Sequence, residues 1–309
     1  MQYNFSDTLV YLCDPQNHIR HGIVVALQGY GFNAVKDFRT YEDFLEGLES
    51  GAKPDLIICD SEIGGNQAID LFARIRRREQ GDNPFVVTIM TTWNPTPEKV
   101  RAITNAGVDD LLSKPLSPKV LYDRVITLIW SRKPFIVTSE YIGPDRRKPS
   151  SRPSNAKVFS VPNTLAARAK GEDMAGITEI IDSFWSGVTE ERQVRNSFQI
   201  VFLVDLILPA LRARSITADL PGHLDRLVQT CTEATQRNKT SYNSQSTELF
   251  ERLTFVAKAI AENPMNPGQK NIALLKPLAQ AIHKSINPGI DEKKLASEIS
   301  TALEKYSKA

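Results

Sequence analysis

The sequence predicts an α/β N-terminal domain, a doubly wound five-stranded parallel sheet, followed by an all-α helical bundle domain. Three observations predict it. Through residue 132, short apolar runs rich in Val, Ile and Leu alternate with stretches of helical periodicity. The runs are apolar on both faces, as strands are when helices cover a parallel sheet on two sides. Beyond residue 162 the strand-type runs stop and only helical patterns continue, and at 309 residues the chain is long enough for two domains.

In chain order, Leu9-Val-Tyr-Leu-Cys13 is a first buried strand that ends on Asp14. A helical stripe of Ile19, Ile23, Val24, Leu27 and Tyr30 follows and is closed by Gly31. Asn33 to Phe38 forms a second strand and Tyr41 to Leu48 a second helix. Leu56 to Cys59, bounded by Pro54 and Gly64-Gly65, is a third strand with Asp60 at its carboxyl end. A helix over Ala68 to Arg78 carries Ala68, Leu71, Phe72 and Ile75 at i, i+3, i+4, i+7 spacing. Phe85 to Met90 is a fourth strand, ending at Thr91-Thr92. Pro97 to Ala106 is a helix with proline at its start and Gly107 after its end. Asp109 to Ser113 is a fifth strand followed by Lys114-Pro115, and Leu116 to Trp130 supplies the last helix. Strands joined through helices lie parallel.

The composition, 41% hydrophobic and 24% charged, is that of a globular protein, and the net charge of +2 neither demands nor excludes a nucleic-acid partner. Cys13, Cys59 and Cys231 are far apart, which argues against a zinc site or disulfide framework. The first residues lack the basic and apolar regions of a signal peptide, and the most apolar run, Phe198 to Leu211, is too short to span a bilayer. The expectation is a cytoplasmic protein with no membrane partner.

The carboxyl edge of such a sheet gathers Asp14, Asp60, Thr92 and Lys114. In open α/β sheets that edge is where ligands bind. Two carboxylates, a hydroxyl and an ammonium make a phosphoryl-transfer constellation: a nucleophile, a partner for a metal, and two groups to hold phosphoryl oxygens. Other groupings are weaker. Arg74 and Arg76-Arg-Arg78 read as a solvated charge run at a helix end. His18 and His21 have no third ligand, and Asp109-Asp110 reads as a strand start.

On Asp14, Asp60 with Ile63-Gly64 after it, Thr92, Ala106-Gly107 and Lys114-Pro115, residues 7 to 132 resemble the response regulator receiver domain, the CheY-like fold. The resemblance implies that Asp60 accepts a phosphoryl group from a histidine kinase or phosphotransfer protein, and that Thr92 hydrogen-bonds a phosphoryl oxygen. It further implies that Lys114 pairs with the charged group and that the Lys114-Pro115 peptide is cis. Mg²⁺ would be held by Asp14, Asp60 and the backbone carbonyl of Glu62. The sequence departs from the family at several places. The second of the usual two acids is Pro15, which weakens the metal site. Ile63-Gly64 replaces Met-Pro, Trp93 stands where a small residue follows the threonine, and Leu111 occupies the usual aromatic position.

Residues 133 to 162 read as a basic, Pro/Ser-rich linker. Within it, Phe135 to Val137 and Tyr141-Ile142 could pack on the receiver while Arg146, Arg147 and Lys148 stay solvated, and Pro149 to Pro162 reads as the flexible boundary. Residues 163 to 309 carry helical patterns over Thr164 to Arg168, Ile177 to Gly187, Glu190 to Ala213, His223 to Arg237, Thr247 to Glu262, Ile272 to Ser285 and Glu292 to Tyr306. Thr189 and Asp291 are candidate N-caps, and Phe198 to Leu211 is a central buried helix kinked near Pro209. His283-Lys284 reads as an ordinary amphipathic-face pair, not a phosphotransfer helix. The expected function is a two-component response regulator whose helical domain acts on an unknown protein target, either alone or as a homodimer, with no enzymatic activity beyond its own phosphorylation and dephosphorylation. The alternatives are a pseudo-receiver scaffold and, less favoured by the near-neutral charge, a DNA-binding output.

Overall fold

The computed structural model describes residues 3–65, 67–147, 157–213, 218–240, 244–289 and 291–306. It divides into two units, Met1–Val188 and Thr189–Ala309.

In the first unit the alternating pattern becomes β1 (Leu9–Cys13), α1 (Asn17–Gly29), β2 (Ala34–Phe38), α2 (Tyr41–Glu49), β3 (Leu56–Asp60), α3 (Gln67–Arg76), β4 (Val87–Thr92), α4 (Pro97–Asn105), β5 (Asp110–Ser113) and α5 (Pro118–Ser131). All neighbouring strands are parallel, in the order β2-β1-β3-β4-β5. Alternation along each strand feeds two cores. Tyr11, Cys13, Ile57, Cys59 and Met90 face Phe44, Phe72 and Ile103 of α2, α3 and α4. Val10, Leu12, Ile58 and Ile89 face Leu27, Leu121 and Val125 of α1 and α5. Side-chain caps start three helices, with Thr40, Thr96 and Ser117 accepting from backbone N–H groups three residues on.

Contrary to the charge-run reading, Arg76 is 1% exposed and belongs to a closed polar network at the amino edge of β4 and β5. Its guanidinium donates to the carbonyls of Gly107, Pro84 and Val86 at 2.8 Å, to Thr88 Oγ1 and to Asp109 Oδ2. Arg132 closes the other side of Asp109 at 2.8 and 3.0 Å. Burial pushes the Asp109 carboxyl up, but the charges of Arg132 and Arg76 outweigh it and hold the group below the usual aspartate range. Burial likewise lowers the Arg76 guanidinium to about 10.

That network carries the segment expected as a linker. Phe135 lies against both guanidinium groups, 5.1 Å from Arg76 and 4.9 Å from Arg132. It starts β6 (Phe135–Val137), the central strand of a small antiparallel sheet with β7 (Ile142–Pro144) and β8 (Val158–Phe159). Gly107 is required here: its φ is +79°, and a Cβ would stand 2.3 Å from the Ile142 carbonyl oxygen. Arg146 is not simply solvated, since it donates to the Val108 carbonyl, and Arg147 pairs with Asp145 at 2.6 Å. Lys148 and most of the expected flexible boundary, residues 148–156, lie outside the described residues.

The helix α6 (Thr164–Ala169), expected in the second domain, packs on the α1–α5 side through Leu165, Ala166 and Ala169. Arg168 pairs with buried Asp55 at 2.7 Å. The two helices expected either side of Thr189 are one continuous helix, α7 (Ile177–Ala213), which places Thr189 inside a helix and not at an N-cap; Pro209 is within it.

The second unit contains the rest of α7 with α8 (Leu220–Thr240), α9 (Ser244–Glu262), α10 (Gln269–Ile286) and α11 (Glu292–Tyr306). Ile200, Val204, Ile207 and Leu211 of α7 are buried with Leu224, Leu227, Phe250, Leu253, Leu275 and Ile282. By length and composition α7 is long and apolar enough to cross a membrane, a correction to the expectation drawn from Phe198 to Leu211 alone. Half of its most apolar window is nevertheless buried within the protein, as in a core helix.

Candidate functional site

At the carboxyl edge of the sheet, β1 delivers Asp14, β3 delivers Asp60, β4 ends on Thr92, and Lys114 follows β5. The structure brings the two carboxylates and the ammonium into one buried cluster. Lys114 Nζ contacts Asp14 Oδ2 and lies 2.5 Å from Asp60 Oδ2, with all three side chains almost fully covered. Asp14 Oδ1 accepts from the Gln16 backbone N–H and Asp60 Oδ1 from that of Glu62, both at 2.8 Å. Every carboxylate oxygen therefore has a donor. The peptide between Lys114 and Pro115 is cis, as the resemblance implied.

Thr92 is buried at this edge, and its Oγ1 accepts from the Asn94 N–H at 3.3 Å. The Trp93 ring lies 5.8 Å from Lys114 Nζ, and the residue is 41% exposed. Arg20 of α1 was not singled out in the sequence. Its guanidinium donates to the Asp14 carbonyl at 2.9 Å and pairs with Asp37 at 2.6 Å, which fixes the backbone that carries Asp14. Glu62 turns its carboxylate outward to Lys99 of α4 at 2.7 Å. Neither pair leaves a local sequence signal, because each joins residues from different elements.

The donor set suits a divalent cation poorly. Mg²⁺ demands near-octahedral oxygen ligands. The cluster offers two carboxylates already bridged by an ammonium, and Pro15 adds no side-chain oxygen beside Asp14. Among the described residues, no group of three or more His, Cys, Asp or Glu side chains could hold a metal. His18 and His21 are exposed on α1. The positive charge that Asp14 and Asp60 require is supplied by Lys114.

His283 in the second unit is 2% exposed, with Nδ1 2.9 Å from Ser197 Oγ. It is a core histidine on the buried stripe of α10, beside Leu275, Ala279 and Ile282, in keeping with the amphipathic-face reading.

Residues 10–126 match the family model for the response regulator receiver domain. The chain is 29% identical over 117 residues to the phosphate regulon transcriptional regulatory protein PhoB of Pseudomonas aeruginosa, covering 38% of this chain and 49% of that protein. The Escherichia coli PhoB is 27% identical over 128 residues, covering 41% and 54%. The chain thus spans about half the length of the curated relatives it matches. Among solved structures, a signal receiver domain of a histidine kinase from Clostridium thermocellum aligns at 20% identity with a TM-score of 0.36, covering 40% of this chain and 97% of that one. The chemotaxis response regulator CheY4 of Vibrio cholerae aligns at 23% with a TM-score of 0.36, covering 39% and 98%. The five-stranded parallel sheet and the family match over residues 10–126 agree: the chain carries an N-terminal response regulator receiver domain of two-component signalling, with the CheY-like fold.

Proposed function

We propose that this receiver takes a phosphoryl group on Asp60 from a histidine kinase or phosphotransfer protein, and that the modification switches the helical unit, which acts through protein contacts. One observation supports it above the rest: an ammonium held between Asp14 and Asp60 at the carboxyl edge of the sheet. An Asp60 carboxylate oxygen attacks the donor's phosphorus, the bond from phosphorus to the leaving group breaks, and an acyl phosphate forms. Lys114, already 2.5 Å from Asp60, offsets the added negative charge, and Thr92 exchanges its Asn94 contact for a phosphoryl oxygen. Arg20 holds Asp14 in place. No activity on an external substrate is proposed. Mg²⁺ contributes weakly, because Lys114 holds both carboxylates.

The named activity of the PhoB proteins, transcriptional regulation, is theirs; the match stops within the receiver and carries no DNA-binding role to residues 189–309.

The test is intact mass after incubation with acetyl phosphate, with Mg²⁺ or with EDTA, on the parent and on Asp60→Asn. The expected result is a single phosphoryl adduct in the parent, reduced but not abolished by EDTA, and none in Asp60→Asn. An adduct that persists in Asp60→Asn would reject Asp60 as the acceptor. No adduct with acetyl phosphate or a phosphorylated kinase would favour a pseudo-receiver scaffold, the reading that Pro15 supports.

A further inference from the structure

Phe255, in the middle of α9, is 73% exposed, more than any other large apolar side chain among the described residues. It borders an open groove of about 390 Å³ between α8 and α9. Thr232, Thr235 and Thr254 line that groove, and each hydroxyl donates to the carbonyl four residues earlier on its own helix, at 2.8, 2.9 and 2.8 Å. Their hydrogens are thereby satisfied, and the surface left to the groove is chiefly apolar, with exposed Gln236 beside it. A cavity of about 150 Å³ is enough to hold benzene, so the groove has room for a second phenyl ring next to its own.

The charges around Phe255 indicate where that ring comes from. Glu251 and Lys258 are exposed one turn before and one turn after it, on the same stripe of α9, and both line the groove. Two copies of α9 laid side by side in the same direction set Glu251 against Glu251 and Lys258 against Lys258, which repel. Laid in opposite directions about a two-fold axis between residues 254 and 255, they set Glu251 of each copy against Lys258 of the other. In that register Glu248 stands opposite Ala261, Arg252 opposite Ala257 and Glu262 opposite Thr247. No charged residue of α9 then lies directly opposite its like.

We propose that the face formed by α8 and α9 binds a second copy of this chain, antiparallel, with the Phe255 ring of each copy seated in the groove of the other between two Glu251–Lys258 ion pairs. In such a self-complementary contact every interaction occurs twice, so one aromatic anchor and one ion pair per chain become two of each. The face lies wholly in the second unit and is exposed without phosphorylation. It is therefore independent of Asp60 and gives the helical unit a dimer axis of its own.

The experiment is sedimentation velocity of the full, unphosphorylated chain from about 1 to 200 µM. A reversible monomer–dimer equilibrium is expected within that range. Phe255→Ala should weaken it by about tenfold or more, the scale of an aromatic anchor. Glu251→Lys and Lys258→Glu, which each oppose like charges, should weaken it about threefold or more. Combining the two reverses both ion pairs and should return the affinity to within about twofold of the parent. All three side chains are exposed, so the variants keep the fold, which circular dichroism checks. A parent that stays monomeric, a folded Phe255→Ala that dimerises like the parent, or a double variant no tighter than the single ones would each overturn the proposal. The mass shift at Asp60 is read on another surface and by another signal, so neither result decides the other.

Discussion

Asp109 shows what a single residue does in this fold. It is buried between two guanidinium groups and also accepts from the Thr88 N–H at 2.9 Å. Removing one member of a buried pair leaves an uncompensated charge and costs about 3–5 kcal/mol. Asp109→Ala should therefore lower the unfolding free energy of the first unit, measured by urea denaturation, by an amount in that range, whereas Asp110→Ala, whose partner Arg124 is half exposed at 3.6 Å, should cost under about 1 kcal/mol. Equal losses for the two would show that the network contributes nothing special. The same residues mark how far a sequence can be read. Asp14, Asp60 and Lys114 were legible because an apolar strand ending on a charged residue advertises a functional sheet edge. Arg76 was not, because it sits beside Arg74, Arg77 and Arg78, and what compensates it are the Gly107, Pro84 and Val86 carbonyls, which no local pattern announces.

For the elements, each of the five receiver strands and helices was visible through apolar periodicity, with ends displaced by a few residues where loops hold apolar side chains, as at Phe85 before β4. The short strands β6 and β7 were hidden because three residues carry too little alternation to distinguish a strand from an apolar loop. Their seating depends on Gly107. Gly107→Ala would place a methyl group against the Ile142 carbonyl and force a left-handed backbone on alanine, a strain of about 1–3 kcal/mol. The expected outcome is faster proteolytic cleavage within residues 138–147 while phosphoryl acceptance on Asp60 persists. Unchanged cleavage would detach β7 from the α4–β5 turn. The continuity of α7 was masked by Gly187 and Thr189, which locally resemble a helix stop and a cap but are overridden by the apolar contacts of the helix on either side.

For the whole molecule, two buried groups set two different pH windows. Burial lowers the His283 pKa, with Glu298 opposing, so the unfolded chain takes up a proton that the folded one refuses. Stability of the second unit then falls as pH drops through about 6.5, the unfolded histidine value. The lowered Asp109 pKa works in the same direction but later: its stabilisation is complete above about pH 5 and is lost as pH falls through about 4 and below. Trp93, Trp130 and Trp185 all lie in the first unit, so tryptophan fluorescence reports that unit alone while far-ultraviolet circular dichroism reports both. Acidification from pH 7 to 5 should lower the denaturation midpoint seen by circular dichroism and leave the tryptophan transition in place. His283→Leu should remove that difference, and coincident shifts of both signals would contradict the assignment.

The strand β5 is only four residues long, with the Asp109 network immediately before it and Lys114 immediately after it. At about 3.3 Å per residue, the five steps from Asp109 to Lys114 set the two sites about 16 Å apart along the strand. Mechanically, β5 is a short rod paired along its length to β4, pinned at its amino end by the Asp109 ion pairs and carrying at its carboxyl tip the ammonium that bridges Asp14 and Asp60. A pull on that tip by a phosphoryl group at Asp60 can swing the rod but cannot slide it, so the recoil has to emerge sideways, toward Trp93 and α4, and not along the strand into the seat of Phe135. Amide exchange on phosphorylation should accordingly quicken around Trp93 and stay unchanged at Asp109.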